Sequence, residues 1–228
     1  MVRKTKVEAA ITREQLLDAA ERVFSDRGVA KTSLTEVAAA AGVTRGAVYW
    51  HFRDKADLFG AMCERATLPL DAMLVEAGGR AHDDPLGAVR AVAVTALTRL
   101  ATDPRAQAVF EVIFHKTELT GELAEIAGRQ ERDRCDCLSN VESILEQAVT
   151  RGQLPPDTDT ALATRLLHAY VGGIMREWVL DKDAYDLAAR APSLVDTIIA
   201  GLAANPPRRA SRVRPRVRPR ATCSRLVQ

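Results

Sequence analysis

Aromatic residues are scarce, 4% of 228 positions, and half of them (Phe24, Tyr49, Trp50, Phe52 and Phe59) fall within the first 60. A core with so few rings must be built from aliphatic side chains, and one crowded aromatic stretch must have another reason. Cysteine is limited to four residues with neither disulfide nor zinc spacing. Cys135 and Cys137, two apart on a predicted helix, point to nearly opposite sides, as expected of reduced thiols. The two-residue alternation of a half-buried strand is rare, which argues against a sheet-rich fold. No uninterrupted apolar run approaches the ~20 residues needed to span a bilayer. The positive opening "MVRKTK" is not followed by the apolar segment of a secretory signal. The expectation is a cytoplasmic chain with no membrane partner. Gly-rich phosphate loops, metal-ligand clusters and nucleophile–base pairs are also missing. No catalytic residue, metal or cofactor is therefore expected.

What is abundant is alanine within a 47% hydrophobic composition, which favours an all-α fold able to bury a core. The formal net charge of +2 hides an asymmetry. Residues 1–55 hold ten basic and seven acidic residues; residues 205–228 hold eight arginines and no acid; the stretch between carries a net −9. A basic head on an acidic body predicts a head that faces a polyanion.

The helices are punctuated. "TREQLLDAAERVFSDRG" opens with Thr12 and Gln15 in capping-box spacing and closes on Gly28. "SLTEVAAAAG" repeats the grammar with Ser33, Glu36 and Gly42, and Thr44 caps a short third helix. Two short helices joined by a glycine turn make a helix-turn-helix unit. Asp54 caps a fourth helix that runs toward residue 77 with a kink at Pro69. Further helices are predicted over 85–102 and 104–116, then from a turn at Thr120–Gly121 to Thr150, and over 159–181 and 186–204, about nine in all. The domains expected are a helix-turn-helix head over 1–56, a helical bundle over 57–204, and a disordered arginine-rich tail over 205–228. The proline spacing of "RVRPRVRPR" forbids a stable helix in that tail.

The aromatic cluster, "TRGAVYWHFRDK" at 44–55, falls on the third helix. The second helix of such a unit enters the major groove with its N-terminal residues at base edges. Arg45 is placed to fork onto guanine O6 and N7, and Thr44 to meet a phosphate or a thymine methyl. Gly46 lets the backbone approach. Tyr49, Trp50 and His51, one turn later, offer polar tips to phosphates, and Lys55 adds charge at the next helix start. Ser33 and Thr35 open the preceding helix for similar backbone contacts. Val48 and Phe52 read as core, and one of Tyr49 and Trp50 is expected to be at least half buried against Phe24 and Phe59.

At this point "TREQLLDAAERVFSDRGVAKTSLTEVAAAAGVTRGAVYWHFRDKADLF" resembles the DNA-binding domain of the TetR family of transcriptional repressors. "VRKTK", "GVTRGAVYWHF" and "VIFHKTEL" resemble its AcrR branch, which controls multidrug efflux pumps. The resemblance implies a homodimer on a palindromic double-stranded operator, and a helical body whose pocket takes a small hydrophobic or cationic effector. It also implies DNA contacts at Thr44, Arg45, Gly46, Tyr49, Trp50, His51, Lys55 and Ser33 or a neighbour. Two departures stand out: the arginine-rich tail, and the replacement near Thr67 of an acid expected on the pocket side of the fourth helix. Candidate effector contacts are Met62, Cys63, Phe114, His115, Glu118, Gln130 and Trp178. The last two helices carry broad apolar faces (Leu162, Leu166, Tyr170, Gly173, Ile174; Leu194, Val195, Ile198, Leu202) suited to a four-helix dimer interface. Two rival readings are a TetR-type regulator of a catabolic or metabolic operon that answers a metabolite, and a helical carrier or enzyme.

Overall fold

The computed structural model describes residues 6–79, 83–117 and 124–209, without the side chains of Leu68 and of residues 124–133. Nine helices appear among the described residues: α1 (Lys6–Arg27), α2 (Leu34–Ala40), α3 (Arg45–His51), α4 (Lys55–Gly79), α5 (Pro85–Thr102), α6 (Pro104–His115), α7 (Ala124–Thr150), α8 (Thr160–Leu180) and α9 (Leu187–Ala204). The turn expected at Thr120–Gly121 lies outside the described residues.

Local chemistry sets most of the boundaries. Ser33 accepts from the Glu36 amide while Glu36 reaches back to the Ser33 amide, a reciprocal capping box. Gly42 ends α2 with φ +68, and the amides of Val43 and Gly42 bond the carbonyls of Ala38 and Ala39 in a Schellman closure. Asp54, Asp84, Asp103, Asp159 and Asp186 each accept from an amide in the first turn of the following helix. The expected cap at Thr12 is not one. The helix formers of "KVEAA" carry α1 back to Lys6, and the buried Thr12 hydroxyl donates to the Glu8 carbonyl instead. Pro69 lies inside an unbroken α4.

Three apolar clusters fill the interior. The first joins α1, α2 and α3 to the start of α4 and to Val109 and Val112 of α6. Leu58, Phe59, Met62, Cys63 and Ala66 belong to it, so the core of the head extends past the boundary expected at residue 56. The second is built from α4, α5, α7 and α8 with Leu202 of α9, and the third from α5, α8 and α9. Val195 and Leu202 of α9 are buried in their own chain, unlike the interface role expected for them; Leu162 and Leu166 of α8 are exposed. By length and composition α9 is apolar enough to cross a membrane, yet it packs in the bundle, and its Asp196 pairs with Arg90 of α5.

At ~1.5 Å per residue, α4 reaches from the head to the far end of the body. There Gln147 bonds Gly78, Arg151 pairs with Asp83, and Gln153 bonds Asp84. The chain after α9 returns to the same loop. Arg209 and Asp159 exchange backbone bonds with Asp157 and Pro207, and Arg208 pairs with Asp157. Residues 206–209 are thus held in place, unlike the disordered tail expected from 205; the arginine-rich stretch beyond them lies outside the described residues.

Candidate nucleic-acid interface and effector cavity

The seven residues of α3 divide by face. Val48 is fully buried and Phe52 caps the helix inside the core. Thr44, Arg45, Gly46, Tyr49 and Trp50 all lie on the outside. Tyr49 is 48% exposed and Trp50 72%. Neither ring joins the Phe24–Phe59 pair, whose centroids lie 6.1 Å apart and which fills the head without help. Trp50 instead stands edge-on to His51 at 4.7 Å.

Arg45 Nη2 donates to the Tyr49 hydroxyl at 3.2 Å, and the guanidinium lies 5.4 Å from the ring centroid. The pair holds a long cation upright at the start of an exposed helix, which reduces the side-chain entropy lost when the fork meets a base. Thr44 accepts from the Ala47 amide, so its oxygen is partly engaged as the N-cap. A Cβ at Gly46 would meet only Thr44 Oγ1, at 3.9 Å. Thr35 is exposed at the start of α2.

Two expected contacts have other duties. The Ser33 hydroxyl bonds both the Glu36 amide and its carboxylate, and the Ser33 amide together with that hydroxyl holds the carboxyl below the ordinary range. Lys55 Nζ donates to the carbonyls of Ala30 and Thr32, at 3.2 and 3.1 Å. It clamps the loop before α2 and keeps one donor for an anion. Two further cations that sequence reasoning did not weigh are Arg13, whose guanidinium lies 5.3 Å from the Phe52 ring centroid, and Arg53, which pairs with Asp57 at the start of α4.

The body holds a cavity of about 320 Å³ bordered by residues of the second and third clusters. Its walls come from α4 (Thr67, Leu70, Asp71, Leu74), α5 (Val89 to Ala96), α6 (Phe110, Phe114), α7 (Arg134, Cys137, Val141) and α8 (Thr164 to Met175). Of the expected effector contacts, Phe114 lines it, stacked on Phe110 at 5.6 Å. Met62 and Cys63 do not, because they face the head core. Trp178 does not, because its indole donates to the Tyr185 carbonyl within the α5–α8–α9 cluster. His115 lies exposed, its Nε2 3.4 Å from the Arg176 carbonyl. Glu118 and the side chain of Gln130 lie outside the described residues.

Thr67 does line the cavity, and the acid sought there appears one turn later as Asp71. Burial, with the Asp71 charge, pushes the Cys137 thiol up to about 11, so it is a poor nucleophile at neutral pH. His168, exposed along one edge, is held below the ordinary histidine value by partial burial and by the Arg134 guanidinium. Among the described residues no group of three His, Cys, Asp or Glu is placed to hold a metal ion.

Head and cavity share two helices. The first turns of α4 pack in the head while Thr67 to Leu74 line the cavity, and α6 turns Val109 and Val112 to the head but Phe110 and Phe114 to the cavity. Polar contacts fix both helices to α1. Arg65 of α4 spans Glu14, Asp18 and Glu21, and Arg105 of α6 pairs with Asp18 and Glu21. Burial raises the Glu21 carboxyl above the usual glutamate value despite these partners. At the other end of α6, the Val29 amide bonds the Lys116 carbonyl and Lys116 Nζ donates to the Ser25 carbonyl.

Residues 16–62 match the family described as bacterial regulatory proteins, tetR family, and residues 84–203 match the C-terminal region of MAATS-type transcriptional repressors. The transcriptional repressor BepR of Brucella suis is 40% identical over 203 residues, 89% of this chain and 97% of that one. NalD of Pseudomonas aeruginosa, the secondary repressor of the MexAB-OprM multidrug efflux pump, superposes with a TM-score of 0.77 at 32% identity, covering 85% of this chain and 96% of NalD. The complex of SmeT, repressor of the SmeDEF pump of Stenotrophomonas maltophilia, with triclosan gives 0.77 at 33% identity, over 84% of this chain and 91% of SmeT.

Proposed function

We propose, on the premise that this chain belongs to the TetR family of bacterial regulatory proteins, that it is a cytoplasmic, dimeric repressor of a multidrug efflux operon, released from its operator by a small hydrophobic effector. Such regulators bind DNA and are not enzymes by descent. The observation that carries the reading is the double duty of α4 and α6, each with one part in the head core and another in the cavity wall.

The DNA contacts fall to Arg45 and Thr44 at base edges, with Gly46 admitting the backbone. Tyr49, Trp50, His51 and Thr35 meet sugar and phosphate, and Lys55 and Ser33 contribute through the donors left after their internal bonds. The partner copy packs on the exposed face of α8, where Leu162 is 51% exposed and Leu166 46%. This sets two α3 helices about 34–36 Å apart on a palindromic site.

An effector in the cavity presses on Phe110 and Phe114 and on the Thr67–Leu74 segment. Because Arg65 and Arg105 tie those helices to α1, the head moves with them, and the spacing between heads changes. The shift equals the differential affinity of the effector for the two spacings and no more.

The test is a titration of the full chain against DNA from immediately upstream of its own gene, with and without triclosan, a cationic dye and a panel of central metabolites. Release by the hydrophobic drug supports efflux control. Release by a metabolite alone replaces it with control of a metabolic operon, and no binding to any duplex overturns the repressor reading.

A further inference from the structure

Thr164 belongs to the α8 wall of the cavity, 1% exposed, and its Oγ1 has no hydrogen-bond partner. Threonines inside helices commonly return the hydroxyl to the carbonyl four residues back. Thr12, Thr102, Thr150 and Thr197 of this chain all do so. Thr164 does not. A buried hydroxyl without a partner destabilises the empty protein. Valine would fill the same space without that loss. Rotation about χ1 exchanges Oγ1 and Cγ2 within one volume, so the hydroxyl can be turned toward an occupant without enlarging the site.

The rest of the lining narrows the class of occupant. The Phe110 and Phe114 rings lie 5.6 Å apart and only 30° from parallel, and present a flat apolar wall. Among the described lining residues Asp71 and Arg134 contribute one formal charge of each sign, which favours neither a cationic nor an anionic ligand. The volume, about 320 Å³, is at the small end for drug-sized molecules. Resting on the reading of this cavity as the effector site, we propose that Thr164 is its specificity-determining anchor. Its effectors are small, uncharged, flat aromatic molecules bearing a hydroxyl or carbonyl oxygen that pairs with the Thr164 hydroxyl.

The probes are 2-naphthol and naphthalene, which differ by one hydroxyl, titrated calorimetrically into the full chain. Replacing Thr164→Val lowers the ratio of naphthol to naphthalene affinity about threefold to tenfold. It leaves naphthalene binding unchanged and raises the melting temperature of the empty protein by about 2 °C or more. Thr164→Ser keeps the wild-type ratio. An unchanged ratio in Thr164→Val overturns the anchor while leaving the cavity as an effector site. If wild type binds neither probe, the effector-site reading itself falls.

Discussion

In the head, Phe24 and Phe59 meet with no exposed surface, and the chemistry lies outside, on the short α3. In the body, Phe110 and Phe114 stack along the edge of a cavity, and the chemistry lies inside. The same residue type is thus a strut in one place and a wall in the other. A DNA reader needs a rigid base beneath an exposed face. An effector site needs space that the surrounding clusters leave unfilled. The price of that space is lost packing, so the two regions should respond differently to the same substitution.

The largest difference is expected from paired truncations. Phe59→Ala should cost about 3–5 kcal/mol of stability, measured by urea unfolding. Phe110→Ala, whose ring already borders empty volume, should cost less than half of that. Equal losses would erase the contrast between strut and wall. Next comes the joint between the regions. Arg65→Met strands Glu21 with Arg105 alone, a loss of about 2–3 kcal/mol at neutral pH, reduced because solvent reaches Glu14 and Asp18. Glu21 has a raised carboxyl in the folded state. Its protonation therefore favours folding, and the contribution is fully present below the ordinary value of 4.5 and lost as pH rises through the folded value. The Arg65→Met penalty should accordingly be smaller at pH 4.5 than at pH 7. A penalty that is the same at both would show that Glu21 is not the stranded group.

The exposed face gives a third test. Arg45→Ala with Tyr49→Ala should leave the melting temperature unchanged, since both side chains lie outside the core, and should weaken operator binding by about 1–3 kcal/mol for the lost base contact. Full-strength binding, read by fluorescence anisotropy, would remove α3 from the interface. The smallest effect is expected at His168. Its value is lowered in the folded state, so the folded protein binds fewer protons than the unfolded chain just below the ordinary 6.5, and stability falls as pH drops through that window. In His168→Gln the melting temperature should decline less between pH 7.5 and pH 5.5 than in wild type. An identical decline would place the histidine in ordinary solvent.

The contrast also explains what could be read from the sequence. The caps at Ser33, Thr44 and Asp54 and the turn at Gly42 were legible because each depends on residues within five positions of one another. The exposed face of α3 was legible because basic and hydroxyl groups there interrupt an apolar pattern. Thr12 misled because a threonine three residues before a glutamine looks the same at a helix start and in its second turn. The cavity was not legible, because a lining residue and a core residue obey the same periodicity: Phe114 and Trp178 are both apolar positions on amphipathic helices, and only the packing of α5 and α9 decides which borders empty space. Asp71 was missed by a single turn, since Thr67 and Asp71 share a helix face. The ties of Arg65 and Arg105 to α1 cross 44 or more positions of sequence, beyond any local pattern.

Coupling between the regions is measured most directly by operator affinity as the cavity fills. With triclosan at saturating occupancy, confirmed by calorimetry on the same sample, wild type should lose at least about tenfold in affinity for its upstream DNA, whereas a variant with the cavity filled by Val141→Trp should neither bind the drug nor change its DNA affinity on adding it. Undiminished operator binding by wild type with the drug bound in the cavity would contradict it.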